Sequence, residues 1–186
     1  MAITIKPVEA HDIETLTQLA RTTFIETYQE VDDPVYLQNH VDRNHTVAVI
    51  EKEFCDPRNH FFIARVNDQP VGFCKLVSDE NEANPALTNS KCIEIERMYI
   101  LKAFQGCHIG HALLSESLNF AAQHHFEIIW LGVSQVNERA IKIYEQWGFT
   151  YFDTHLFDFG GEMQTDLLMK RPIRLHSETE QLINTL

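Results

Sequence analysis

The fold of this chain is decided by the stretch Ile93-Glu-Ile-Glu-Arg-Met-Tyr-Ile100 and by the segment that follows it, Gln105-Gly-Cys-His-Ile-Gly-His-Ala112. The first stretch alternates apolar and polar residues, as a half-buried strand does. After the second, apolar residues recur at helical spacing as far as Ala122, and the apolar run 128–133 is typical of a buried central strand. A helix that crosses between two strands makes them parallel neighbours, so we expect 93–100 and 128–133 to pair in parallel.

The flanking sequence predicts antiparallel strands and further helices around this pair. Helices are predicted from Asp12 to residue 29, from Asp33-Pro34 onward, over Val47–Phe54 and from Asn137. Strands are predicted over 2–7, 61–66, 71–77, 149–158 and 162–169, and residues 79–90 are predicted to form a surface loop. The expected fold is a single α/β (α+β) domain over residues 1–173, with a tail over 174–186. Its central sheet is mixed, mostly antiparallel, has about seven strands and is flanked by helices.

Composition narrows the classes of partner. The 186 residues carry a formal net charge of -12, which weighs against nucleic acid, because phosphate backbones are bound by clustered Lys and Arg. A negative field mildly favours a cationic partner, although solubility alone also explains it. The N-terminus has no basic region followed by a long apolar one. No apolar run approaches the ~20 residues of a membrane span, so we expect a cytoplasmic protein with no membrane partner.

The cysteines and histidines do not predict a metal site. The four cysteines are far apart in the chain, and Cys74 and Cys92 lie in apolar runs where buried free thiols are expected. His108 and His111 are three residues apart, but no carboxylate or cysteine completes a zinc pattern around them. We therefore interpret the ten histidines as surface residues and expect no metal.

The segment 105–112 has the features of a phosphate site. Gly106 and Gly110 let a backbone come close to a ligand, and the start of the following helix presents unpaired N–H groups with a partial positive charge. A plain strand-to-helix turn is the alternative interpretation.

Motifs in this order and spacing resemble the GNAT superfamily of N-acetyltransferases. The segment Gln105-x-x-x-x-Gly110, followed by Ala-Leu-Leu, resembles its coenzyme A pyrophosphate loop. The run from Leu131-Gly-Val through Asn137, Ala140 and Tyr144 to Gly148-Phe149 resembles its next signature. The segments Phe24–Tyr28 and 160–166 resemble the bacterial spermine/spermidine-type acetyltransferases within the superfamily.

The resemblance implies acetyl-coenzyme A as co-substrate and assigns residues to it. Backbone groups of Met98, Tyr99 and Ile100 would pair with the pantetheine arm, and Asn137 would hydrogen-bond it. Tyr144 would be the general acid that protonates the leaving thiolate, a role that a phenol of pKa ~10 suits. The pyrophosphate would lie on Gln105, Gly106, Cys107, His108, Ile109, Gly110 and His111. Helix capping by Asn137 and packing by Tyr144 are the alternative roles.

Two residues of the loop depart from the family pattern. His108 occupies the position of its first glycine, and Cys107 occupies one often taken by Lys or Arg. A β-carbon at His108 is expected to crowd the pyrophosphate, while the imidazole could instead hydrogen-bond a phosphate oxygen.

Glu94 and Glu96 are two residues apart on a predicted strand and therefore share a face. A carboxylate there, next to the expected cleft, could take the proton of the acceptor's ammonium or bind the cation. A salt bridge with Arg97 or Lys91 is the alternative.

The sequence thus predicts direct acetyl transfer to a primary amine, of a small molecule or a peptide, with a polyamine as one candidate. A homodimer is compatible with it. The rival hypothesis is a coenzyme A-binding regulatory domain without turnover.

Overall fold

The computed structural model describes residues 2–30, 33–81, 84–159 and 161–173. The predicted tail over 174–186 lies outside the described residues. The strands are β1 (Ile3–Pro7), β2 (Asn59–Val66), β3 (Gln69–Ser78), β4 (Cys92–Ile100), β5 (Ile128–Ser134), β6 (Thr150–Phe159) and β7 (Glu162–Pro172). The α-helices are α1 (Ile13–Tyr28), α2 (Pro34–Asn44), α3 (Val47–Phe54), α4 (Ile109–Gln123) and α5 (Glu138–Gln146). Short 3₁₀ turns cover Ala10–Asp12 and Lys102–Phe104.

The seven strands form one sheet in the order β1-β2-β3-β4-β5-β7-β6. Only the β4–β5 pair is parallel, and the other pairs are antiparallel. The predicted fold class, including the parallel pair, is confirmed. No helix in the described part of the chain combines the length and the apolar character that crossing a bilayer requires.

Local sequence explains where several helices begin. The Asp33 carboxylate accepts a hydrogen bond from the Val35 N–H at 2.7 Å, and Pro34 takes the first helical position of α2. Thr46 caps α3 through the Val49 N–H, and Asn137 caps α5 through the Ala140 N–H at 3.1 Å. These caps fix the ends of the helices that surround the site.

The two faces of the sheet bury separate cores. On one face, α4 packs Ile109, Leu113 and Leu114 against a cluster that includes Ile93 and Ile95 of β4. On the other face, α1 packs Leu16, Leu19 and Ala20 against Phe61, Ile63 and Phe73. Cys74 and Cys92 are buried free thiols, as expected.

A β-bulge interrupts the alternation of β4. Lys75 of β3 pairs with Arg97 and Leu76 pairs with Ile95, so Glu96 lies opposite no residue of β3. After the bulge the phase of the strand changes: Met98 and Ile100 pack into the α4 core with Ile93 and Ile95, whereas a strict period of two would separate them. The bulge therefore brings Glu96 and Arg97 to the same face, on the α1 side of the sheet.

The described residues between β3 and β4, 79–81 and 84–91, form a loop, as predicted, but one of its side chains is not at the surface. Leu87 is only 1% exposed and packs with Trp130 and Leu168. A single apolar residue has no period, which is why the sequence pattern did not indicate this anchor.

Candidate active site

A gap opens between β4 and β5 beyond their short parallel ladder. The ladder joins Cys92–Glu94 to Ile128–Trp130, after which β4 continues along β3 and β5 continues along β7. The Leu101 N–H donates to the Val71 carbonyl, toward β3. Main-chain groups alternate along a strand, so those of Ile100 and Met98 point toward the gap and those of Tyr99 point toward β3. The edge of β4 can thus pair with an extended ligand.

The predicted pyrophosphate loop leads from β4 into α4. Gly106 has φ +80°, and His108, the N-cap residue of α4, has φ +63° and makes no side-chain capping bond. Gly110 permits close packing of the helix on β4, because a β-carbon there would lie 3.1 Å from Ile100 Cδ1. Because no side chain caps this helix, its first-turn N–H groups can bind an anion.

The other predicted loop residues contribute in different ways. The Ile109 side chain is buried in the core, Cys107 is partly buried against it, and the His111 ring packs edge-on against Trp147. For Ile109, only main-chain groups can serve a ligand at this helix start.

The sequence pattern gave no indication that a cation of α5 lies near the loop. Arg139 of α5 donates from Nη1 to Gln105 Oε1 at 3.4 Å. It lies 34 positions along the chain from Gln105. Only the tertiary structure brings it to the loop, where it adds a positive charge that Cys107 does not supply.

Three tyrosines from three elements lie near one another: Tyr28 ends α1, Tyr99 lies on β4 and Tyr144 lies on the inner face of α5. Burial and proximity to Cys74 and Tyr28 raise the pKa of Tyr144 well above its usual value near 10. Burial likewise raises the pKa of Tyr99, and so does its hydrogen bond to Tyr28. The Tyr144 ring also packs against Phe149, with ring centroids 5.6 Å apart. The phenols of Tyr99 and Tyr144 are therefore protonated at neutral pH, as a proton donor must be.

The carboxylate of Glu96 belongs to a network of four charged side chains. Glu96 contacts Lys75 Nζ at 2.7 Å and the Arg97 guanidinium at 3.1 Å. Glu53 of α3 completes the network, with Arg97 bound through both its oxygens and Lys75 at 3.1 Å. The salt bridge between Glu96 and Arg97, the alternative considered from the sequence, is thus present, and Lys75 extends it.

A pocket of about 420 Å³ lies on the α1 side of β4. The pocket is lined by aromatic rings, histidines and charged side chains. These residues belong to α1, α2, the turn after α2, β4 and β6. They are Phe24, His40, Arg43, Asn44, His45, Glu96, Arg97, Tyr99, Phe157 and Asp158. Of the predicted catalytic residues, Glu96 lines this pocket. Glu94 is partly buried one strand position earlier on the same face, opposite Val77.

Two buried histidines in the pocket wall were missed, because the sequence analysis treated histidines as surface residues. The His40 ring stacks on Phe24, and its Nδ1 lies 3.3 Å from Asn44 Nδ2. The His45 ring is 1% exposed. Burial, followed by the positive charge of Arg97, lowers the pKa of His40 to about 4 and that of His45 to about 3. Both imidazoles are therefore neutral at working pH.

Comparisons with known proteins give the family. The model of the acetyltransferase (GNAT) family matches residues 13–149. An uncharacterised N-acetyltransferase of Lactobacillus delbrueckii subsp. lactis is 27% identical over 92% of this chain and 98% of its own length. One of Mycobacterium tuberculosis is 27% identical over 87% of this chain and 98% of its own.

Solved structures show the same fold. The PaiA N-acetyltransferase of Thermoplasma acidophilum, solved in complex with coenzyme A, has a TM-score of 0.74 at 21% identity, covering 92% of this chain and 99% of its own. The ribosomal-protein-S18-alanine N-acetyltransferase of Escherichia coli has a TM-score of 0.67 at 16% identity, covering 95% and 97%. Because the family model matches most of its length, the chain belongs to the acetyltransferase (GNAT) family and is an acetyl-coenzyme A-dependent acetyltransferase.

The left-handed backbone of His108 leads to a prediction. We expect His108→Gly to tighten acetyl-coenzyme A binding about fivefold, the factor that ~1 kcal/mol represents. Glycine adopts φ +63° without strain, and its lack of a β-carbon lets the pyrophosphate approach. Titration calorimetry measures the change in affinity. The matched control is His125→Gly, since His125 has φ +58° at the other end of α4 and is expected to leave the affinity unchanged. Weaker binding by His108→Gly would instead identify the imidazole as a phosphate ligand.

Proposed function

We propose that this enzyme acetylates a primary amine by direct transfer, with Tyr144 as the general acid. The observation that carries the proposal is the gap between β4 and β5, together with the uncapped start of α4 and the protonated phenol of Tyr144. In the proposed reaction the amine nitrogen attacks the thioester carbonyl carbon, the C–N bond forms and the C–S bond breaks. The coenzyme A thiolate leaves and takes the Tyr144 proton, and the proton that the acetylated nitrogen loses returns the Tyr144 phenolate to a phenol.

The cofactor side of the site uses the edge of β4 and the start of α4. We assign the pantetheine arm to the main chain at Met98–Ile100, and to Asn137 through the side-chain atoms that capping leaves unused. The pyrophosphate is assigned to the main chain of 105–111, and the guanidinium of Arg139 adds the nearby cation. Main-chain N–H groups of β4 that face the gap would stabilise the oxyanion.

The acceptor side uses the pocket beside Glu96. Glu96 is the predicted carboxylate that lines this pocket, so we assign to it the binding of the acceptor's ammonium group, in exchange for one of its ion pairs with Lys75 and Arg97. Glu94, two residues earlier on the same face, is the candidate for taking the ammonium proton through water.

We further propose that the acceptor is a polyamine. The pocket combines the carboxylates of Glu96 and Asp158 with the rings of Phe24, Tyr99 and Phe157. Aromatic rings can pack a methylene chain and attract a cation. Arg97 is paired with Glu53 and Glu96, and Arg43 is paired with Asp158, so these guanidinium charges are compensated. The net charge of -12 attracts a cationic substrate.

The test is release of free thiol from acetyl-coenzyme A over a panel of amines. We expect kcat/KM for spermidine to exceed that for glutamate at least about tenfold, which ~1.4 kcal/mol of differential binding provides. Equal rates for spermidine and glutamate would refute the polyamine proposal. Binding of coenzyme A without thiol release for any amine would instead support the non-catalytic alternative.

A further inference from the structure

One side chain in the acceptor pocket has polar atoms that the proposed mechanism does not use. His45 follows α2 in the chain and lines the pocket. Both of its ring nitrogens are buried, and neither has a hydrogen-bond partner among the described residues. His40, in the same wall, differs: it interacts with Asn44 and with the main chain of Asp158.

Buried polar groups in folded proteins are nearly always hydrogen-bonded, so an unsatisfied imidazole in a pocket wall indicates a missing partner. His45 is nevertheless held in place. Its carbonyl accepts a hydrogen bond from Arg21 Nη1 at 3.2 Å, and its ring lies 4.9 Å from that of Phe24. The ring nitrogens make no hydrogen bond among the described residues, so a turn of the ring about χ2 toward a bound acceptor would break none.

The protonation state of His45 limits what it can bind. Burial and the nearby cations Arg97 and Arg21 lower its pKa to about 3, so the ring is neutral. A neutral imidazole has one nitrogen that accepts a hydrogen bond and one that donates. It therefore offers an acceptor to an N–H group and adds no charge that would repel a cation.

We propose that His45 determines acceptor specificity by accepting a hydrogen bond from a second N–H group of the acceptor, one beyond the reacting amine. The inference rests on the proposed amine acetylation and deepens it. Aromatic rings of Phe24, Tyr99 and Phe157 line the same pocket and suit the methylene segment between the two nitrogens. His45 thereby selects amines with a distal nitrogen over plain alkylamines.

The test compares spermidine with octylamine, which has a similar chain length but no second nitrogen. The measured quantity is the ratio of kcat/KM for spermidine to that for octylamine. We expect His45→Phe to lower this ratio about tenfold. The KM for acetyl-coenzyme A should not change. Because Phe removes two unsatisfied buried nitrogens, the melting temperature should stay the same or rise.

Two further variants separate recognition from packing. His45→Gln retains a hydrogen-bond acceptor and is expected to keep most of the spermidine preference. His60→Phe is the matched control outside the pocket: this imidazole is half-buried beside Phe120 and bonds Ser78, and its loss should leave the ratio unchanged.

The outcomes distinguish this inference from the proposed function. An unchanged ratio in His45→Phe, with spermidine still acetylated, would overturn the role of His45 and leave the function intact. An equal loss for both amines would also overturn it, because it would indicate packing. If wild-type protein binds acetyl-coenzyme A but acetylates neither amine, the polyamine proposal fails, and the role of His45 in it fails too.

Discussion

Tyr144→Phe is expected to lower kcat about a hundredfold while leaving the affinity for acetyl-coenzyme A almost unchanged. General acid catalysis typically contributes about 10²–10⁴-fold. The lower end of this range is expected here for two reasons. A thiolate is a good leaving group, and burial raises the pKa of Tyr144, which makes its phenol a weaker acid. Phenylalanine keeps the ring contact with Phe149, so the fold should not suffer.

Steady-state turnover, cofactor calorimetry and melting temperature together test this expectation. The matched control is Tyr151→Phe, which alters an exposed tyrosine on β6 and should change none of the three. The active form of Tyr144 is the protonated one and its pKa is raised, so its deprotonation should cause no loss of kcat on the alkaline side up to about pH 10. Normal turnover in Tyr144→Phe would limit the residue to a packing role.

Glu53→Gln is expected to lower the free energy of unfolding by about 3 kcal/mol, since removing one partner of a buried ion pair leaves its counter-charges uncompensated. Glu53 bonds both Lys75 and Arg97, and the Lys75 side chain is only 4% exposed. With glutamine at position 53, two buried cations would share the single carboxylate of Glu96. Urea unfolding measures the loss.

The control for Glu53 is an ion pair of the same chemistry at the surface. Glu138 and Lys142 pair along α5 with side chains 81% and 70% exposed, so Glu138→Gln should cost at most about 0.5 kcal/mol. If Glu53→Gln lowers the free energy of unfolding no more than Glu138→Gln does, then solvent screens the four-residue network as strongly as it screens a surface ion pair.

The parallel pair and the helix between its strands could be predicted because periodicity and connectivity are local properties of the chain. The starts of helices could be predicted equally well, as Asp33-Pro34 and Asn137 show. The catalytic and cofactor-binding assignments remain predictions. The structure shows that the loop follows β4 and that Tyr144 packs against the same core as Met98 and Ile100.

Other features depend on contacts between distant segments, which no local pattern records. Arg139 reaches Gln105 only because α5 packs beside the start of α4. The burial of His45 depends on Phe24, and that of Leu87 on Trp130. The bulge at Glu96 did leave a local signal that was not used: Glu96 and Arg97 are consecutive charged residues, and the apolar positions shift from 93 and 95 to 98 and 100.

Because of the bulge, Glu96 lines the pocket without taking part in the pairing of β4 with β3. Pairing with β3 proceeds through Ile95 and resumes at Arg97, so the ladder would have the same register and the same faces in a chain shorter by this one residue. Strand pairing therefore does not require Glu96. Another residue can take its place, or the position can be deleted, without changing the register of β4 against β3. Acceptor recognition can therefore evolve at a point where strand pairing imposes no constraint, as long as Lys75 and Arg97 keep a counter-charge.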